Sequence, residues 1–317
     1  MLKYIVKRIL NAIPLMILIT LIGYFIINAA PGDPVNMFIN PEKATRIDVE
    51  RIREAMGLNK PIYVRYFIWL GNLFKGNLGD SYFHSRPVLD MLKEAIPNTL
   101  ILGIAATILA VVVAMPAGII SAIKRNSFWD YVFSTISFIG VSLPSFWFGL
   151  MVILLFSLKL GWLPTSGMRE NFEQFVFMDR LKHLILPAIV LGMGNMAQYM
   201  RFMRGAMLEV IRQDYVRTAR SKGLSERIVI FKHTLRNALL PMVTLFGLLL
   251  PGLFGGAAIT ETIFSWPGIG RIMIEASFTR DYPVMMGDML MIGSLVILGN
   301  LLADVLYAVA DPRIKYD

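Results

Sequence analysis

The sequence predicts an all-α, polytopic membrane protein with six transmembrane helices, and three observations predict it. Hydrophobic residues make up 56% of the 317-residue chain, with a mean hydropathy of +0.60. Soluble domains reach such fractions only when glycine is counted as well. The apolar residues are also gathered into blocks. Residues 9–32, 98–123, 131–158, 183–200 and 237–260 carry no charge, and 284–310 carry only Asp288 and Asp304. Each block supplies most or all of the roughly 20 residues that a bilayer-spanning helix needs. Third, the charges between the blocks are distributed unevenly, as they are in proteins whose orientation is set by basic loops.

Residues 1–32 form the first element. "MLKYIVKR" followed by an apolar run has the outline of a secretion signal. The run is longer than a signal core, however, and "NAAPGDP" offers no clear small-x-small cleavage site. A retained membrane anchor is the expectation. Six spans place both termini on one side. The short flank 1–8 carries three Lys or Arg and no acid, and 201–236 carries nine against three acids. Long translocated segments obey charge bias poorly, so these flanks decide, and both termini are expected in the cytoplasm. The formal charge of +9 is read as topology, with no nucleic-acid partner.

Residues 33–97 follow as an extracytoplasmic helical insertion. "PGDP", "NPEK" and "FKGNLGD" are breakers, and "IDVERIREAM" alternates at helical spacing. "IYVRYFIWLGNLF" is aromatic and too short to cross, which suits a helix at the membrane–water interface. The insertion is too small for a substantial core of its own. Residues 98–317 are expected to form a five-helix core containing a cytoplasmic loop at about 205–236.

That loop holds the densest pattern in the chain. In "YVRTARSKGLSERIVIFKHTLRNALLP", Leu224, Ile228, Phe231 and Leu235 fall at spacings of 4, 3 and 4, so they share one helical face. Arg220, Lys222, Arg227 and Lys232 largely occupy other faces. Gly223 interrupts the pattern, and Ser225 with Glu226 can start a new helix. Two short helices with a glycine bend are expected. A basic amphipathic helix of this kind suits anionic membrane lipid and a protein partner alike.

The same stretch resembles the cytoplasmic loop of permease subunits in ATP-binding-cassette importers, whose motif is Glu-Ala-Ala, three residues, Gly, nine residues, Ile, one residue, Leu-Pro. Here Arg217, Thr218 and Ala219 occupy the triplet, Gly223 the glycine, His233 the Ile position, Leu235 the Leu and Arg236 the Pro. Only Ala219, Gly223 and Leu235 agree with the general form. "YVRTARSKGLSE" and "HTLRNALLP" are similar to the oligopeptide and dipeptide branch. "AAPGDPV", "GLNKPIYVRYFIWLGNLFKGNLGDSY", "ITETIFSWPGIGR" and "LLADVLYAVADPRIKY" extend that likeness over the whole chain.

The resemblance implies a type I importer permease in a prokaryotic inner membrane, with one helix ahead of a five-helix core. It implies a second homologous permease, two ATPase subunits that use Mg-ATP, an extracytoplasmic substrate-binding protein and a peptide substrate. The coupling helix that engages an ATPase would be built from Arg217, Thr218, Ala219, Gly223, Leu224, Ser225, Glu226, Ile228, Phe231 and Leu235. Nickel, glutathione or another small solute is the alternative cargo within the branch. An ion-coupled secondary transporter and a membrane scaffold are the rivals outside it.

Glu261 lies at the outer end of the fifth span, and Asp304 toward the inner end of the sixth. Charges at such depths face protein or water. Structural contacts are favoured for both, Asp304 more strongly. Span five gathers Gly247, Gly252, Gly255 and Gly256, whose small size permits close helix approach. Gly252, Gly255, Gly256 and Glu261 are the candidate pathway or gate residues. No glycine-rich phosphate loop ending in Lys-Ser/Thr occurs, so no ATP hydrolysis is expected of this chain. The chain lacks cysteine, and His84, His183 and His233 fall in or beside three separate predicted loops, so no metal or other cofactor is expected.

Overall fold

The computed structural model describes residues 2–38, 45–170, 176–239, 242 and 257–310. Its first helix, α1 (Leu2–Ala29), leads to a short 3₁₀ turn at Pro34–Met37. The insertion then supplies α2 (Arg46–Ala55) and α3 (Ile62–Leu73). Thr45 and Asp48 form a reciprocal capping box on α2, which satisfies backbone donors at its start. The insertion is tied down by one carboxylate. Asp281 accepts hydrogen bonds from Ser81 Oγ (2.5 Å), Tyr82 N (3.2 Å) and Phe83 N (3.1 Å). It is therefore fixed to the corner before the last helix rather than standing as a separate body.

The centre of the core is a pair of long helices, α4 (Val88–Ile123) and α7 (Phe177–Val210), which share the most extensive interhelical contact. Ala106, Ala110, Ala114 and Gly118 recur every fourth residue on α4 and are buried. A Cβ on Gly118 would lie 2.7 Å from the Met200 carbonyl oxygen, and one on Gly192 would lie 2.8 Å from that of Ala106. Lipid offers little hydrophobic drive for helix pairing, so close contact between small residues supplies it. Both contact positions rise together in number, so α4 and α7 run parallel. The insertion therefore lies at one end of the pair, and the 211–235 segment at the other.

Between them, α5 (Phe128–Ser142) and α6 (Ser145–Val152), with its π-helical extension Ile153–Lys159, meet at an angle of 108°. Leu143 is extended, as a residue before proline prefers, and Pro144 lacks an N–H to continue the ladder. After α7 come α8 (Asp214–Ser221) and α9 (Glu226–Ile228), which continues as a π-helical stretch, Val229–Leu235. Then follow α10 (Ala258–Ile263), α11 (Ile269–Thr279) and α12 (Tyr282–Ala310). α12 packs on α1, and Arg8 pairs with Asp304 at 2.7 Å. Asp304 thus has the structural contact favoured for it.

The span count is coarser than the six expected. Among the described residues, three helices are long and apolar enough to cross a membrane: residues 7–29 of α1, α4, and 282–304 of α12. The α5–α6 pair makes a fourth if a bent helix counts as one span. The block at 131–158 is broken at Pro144, as a proline within an apolar block can leave a kink. Block 183–200 lies inside the longer α7, where Gly192, Gly194, Asn195 and Gln198 dilute its apolar character. Most of 237–260 lies outside the described residues.

Candidate functional site: an exposed helical elbow and a buried carboxylate clasp

At the end away from the insertion, α7 extends to Val210, so the connection begins later than the expected position near 205. The last turns of α7 are anchored by Asp130. This carboxylate accepts from Arg204 Nε (2.8 Å) and Nη2 (2.9 Å), from Asn126 N (2.9 Å) and from Ser121 Oγ. One buried acid therefore joins α4, the turn after it, α5 and α7. The bidentate fork adds directional constraint to the charge pairing. Neither Asp130 nor Arg204 was singled out from the sequence. The available signal was an acid and a base, each at the edge of an apolar block.

From this anchored base the chain folds into an elbow. Val216 and Ala219 of α8 bury against Val229, with Val210 packed alongside. Ala219 therefore holds the elbow together from within. Gly223 makes the bend at φ +75°, the left-handed region that favours glycine. A Cβ there would meet open space, so within this chain backbone conformation rather than crowding requires the glycine. Arg220 spans the bend, donating through Nε to Glu226 Oε2 (3.2 Å) and through Nη2 to Oε1 (2.7 Å). That guanidinium holds the Glu226 carboxyl below its ordinary range. A depressed carboxyl favours the paired form above the usual glutamate range and loses it only as pH falls through the lowered value. The brace therefore persists at neutral pH. Ser225 occupies the N-cap position without a side-chain cap, and Thr218 Oγ1 returns to the Asp214 carbonyl at 2.9 Å.

The apolar stripe divides. Leu224, Ile228 and Phe231 are 38%, 42% and 56% exposed, and Tyr215 of α8 is exposed as well. Leu235 instead packs against the main core cluster. Its inward turn follows from the π-helical stretch, where i→i+5 bonding lowers the rotation per residue and moves Leu235 off the 3.6-residue face. Thr234 Oγ1 bonds the Val229 carbonyl five residues back at 3.1 Å. Exposed Arg217, Lys222, Arg227 and Lys232 are interspersed with the outward apolar residues along the chain. An apolar patch with a charged rim is what a docking surface requires.

At the opposite end, Glu261 is fully buried and forms a clasp. It accepts from Thr99 Oγ1 (2.7 Å) and Arg271 N (3.0 Å), while Thr99 Oγ1 accepts from Ile269 N (2.9 Å). Trp266 is also fully buried and donates from Nε1 to the Asn98 carbonyl at 2.9 Å. Added Cβ atoms would overlap the Glu261 carboxylate at Gly268 and Ala258 at Gly270. The "SWPGIGR" turn is thereby locked onto the start of the apolar part of α4. Gly252, Gly255 and Gly256 lie outside the described residues.

A cavity of about 640 Å³ lies nearby, bounded by the α5–α6 bend, α7 and the start of α10. Leu143, Phe148, Gln198, Arg201 and Thr260 line it, whereas Glu261 does not. Sequence periodicity gave no notice of this cavity, because the bend that makes it joins two segments of one expected span.

Comparison with known proteins gives these features a setting. The chain is 46% identical over 317 residues to the oligopeptide transport system permease protein AppB of Bacillus subtilis (strain 168), covering 100% of both chains. It is 39% identical over 316 residues to the glutathione transport system permease protein GsiC of Escherichia coli (strain K12), again covering 100% of both. In fold it is similar to a chain from inward-facing conformations of the MetNI methionine ABC transporter. That likeness has a TM-score of 0.57 at 19% identity, over 70% of this chain and 96% of that one. The family model for the N-terminal part of these membrane components matches residues 1–103. The model described as binding-protein-dependent transport system inner membrane component matches residues 114–316, and the chain belongs to that family.

Proposed function

We propose that this chain is the transmembrane translocation subunit of an ATP-driven, binding-protein-dependent importer of di- and oligopeptides. The observation that carries the cargo assignment is the end-to-end likeness to an oligopeptide permease at 46% identity. A glutathione permease that is 39% identical over the same length supports the second reading, a thiol tripeptide as cargo. The test is uptake by the assembled transporter in proteoliposomes containing a cognate binding protein. Labelled dipeptide and tetrapeptide should accumulate when Mg-ATP is enclosed on the ATPase side and the binding protein is outside, and glutathione should compete weakly. Glutathione uptake with no dipeptide uptake would reverse the cargo assignment.

In this reading the elbow from Asp214 to Phe231 docks in a cleft of an ATPase subunit, one of two that bind Mg-ATP, while a second homologous permease completes the pathway. Support for the dock comes from the outward apolar residues, the basic rim and the brace across Gly223. A braced elbow on an anchored helix end transmits rigid-body motion, which a flexible loop would absorb. ATP binding and hydrolysis then bias inward and outward states of the permease pair. The cavity beside Gln198 and Arg201 is assigned to the passage, and the Glu261 clasp to holding its outer wall. This chain contributes passage and coupling rather than bond-breaking chemistry.

Six spans with both termini cytoplasmic complete the proposal, the insertion then facing the binding protein. Single cysteines at the exposed positions Lys75 and Ser225 test it in this cysteine-free chain. An impermeant thiol reagent applied to intact spheroplasts should label position 75 and spare 225. The reverse pattern would overturn the orientation.

A further inference from the structure

Where the insertion meets α1 and α12, it encloses a cavity of about 660 Å³. Tyr24 from α1, Trp69 from α3, Tyr82 from the following loop and Tyr282 from α12 give it an aromatic wall. Among the described residues, two cations, Arg65 and Lys60, line it against one acid, Asp80. Arg65 Nε and Trp69 Nε1 are buried with no hydrogen-bond partner among the described residues. Buried N–H donors are rarely left unsatisfied, because each has given up its bond to water. Both belong to residues that line one cavity, and the Arg65 guanidinium carries further donors whose fork matches phosphate oxygens.

The position narrows the ligand. Tyr24 lies near the last turns of α1, and Tyr282 opens α12, so the cavity sits level with the ends of two apolar helices. Outside it, α3 exposes Tyr63 and Phe67 to the surroundings. Aromatic residues gather where membrane meets water, and basic side chains there attract anionic headgroups. The cavity shares no lining residue with the one beside Gln198 and Arg201, so it is separate from the assigned passage.

We propose that this cavity binds the phosphodiester headgroup of an anionic phospholipid. Arg65 and Trp69 donate to the phosphate, Lys60 adds charge, and the acyl chains follow the exposed aromatic side of α3. The lipid would fasten the insertion to α1 and α12, so bilayer composition would bear on how firmly the insertion is held. Nothing in this assignment depends on the transported cargo.

The experiment uses the delipidated full-length chain in detergent, with lipid retention read by native mass spectrometry. Phosphatidylglycerol is compared with phosphatidylcholine of the same acyl chains. The wild type should retain phosphatidylglycerol about tenfold better, because both lipids carry the phosphodiester but the choline cation is repelled by Arg65 and Lys60. Arg65→Gln should abolish most of that preference. Trp69→Phe, which keeps an aromatic ring but removes the donor, should weaken retention of both lipids severalfold, since both carry the phosphodiester, even if the arginine variant folds poorly. Lys75→Gln, exposed and outside the cavity, should leave it unchanged. Equal retention of the two lipids, or unaltered phosphatidylglycerol retention in Trp69→Phe, would overturn the site. Displacement by inorganic phosphate at matched concentration would assign the cavity to free phosphate, and displacement by dialanine to a peptide carboxylate. Either result would overturn the lipid assignment.

Discussion

Two glycines illustrate different demands at the scale of single residues. Gly223 is needed for its positive φ, with open space where a side chain would go. Gly268 has an ordinary φ, and a side chain there would strike the Glu261 carboxylate. Gly223→Ala should strain the bend by about 1–2 kcal/mol, confined to the elbow. Gly268→Ala should destabilise the clasp by about 1–3 kcal/mol through overpacking. Thermal unfolding of the purified subunit checks the contrast. The Gly268 variant should lower the midpoint, whereas the Gly223 variant should leave it near the wild type and weaken ATPase capture. A larger loss of midpoint in Gly223→Ala would show that the elbow is part of the folded core. The Gly223 bend was legible because glycine interrupts a local helical pattern. The clasp was not, because Thr99 and Glu261 are separated by 162 positions and no local period links them.

Among the elements, the α4–α7 pair sets the frame on which both sites stand. Its contact uses Ala106, Ala110, Ala114 and Gly118 on one side and Gly192 on the other. Gly192→Leu should separate the helices, because its branched side chain would enter the space held by the Ala106 backbone. Disulfide crosslinking between cysteines at 110 and 196 should fall well below the level in the same double-cysteine protein with Gly192 retained. Unchanged crosslinking would rule out close packing at this position. The apolar blocks made the existence of α1, α4 and α12 legible. The four-residue recurrence of small side chains was present in the sequence too, but its partner helix was not. A kink at Pro144 was legible from the proline itself, but its 108° angle was not, because composition does not set how far the chain turns there. Leu235 was misplaced on the outer stripe for a related reason, since π-helical winding breaks the period that grouped it there.

Across the whole molecule, an insertion fixed by Asp281 lies at one end and an elbow based on Asp130–Arg204 at the other. The long parallel helices connect them. This arrangement suits a subunit that receives cargo at one face and mechanical input at the opposite face. The central claim is that the outward face of the elbow receives that input from an ATPase. Leu224→Asp and Phe231→Asp, each made alone, place a charge on this face without altering an apolar membrane block. A charge buried at the contact without a partner would be costly, so either variant should weaken docking strongly. The direct measurement is ATPase co-purification with the correctly inserted permease, alongside substrate-stimulated ATP hydrolysis by the same preparation. The account predicts that both quantities fall together by about tenfold or more, the consequence of losing at least 1.4 kcal/mol at the contact. Normal co-purification and normal stimulated hydrolysis in both variants would contradict it.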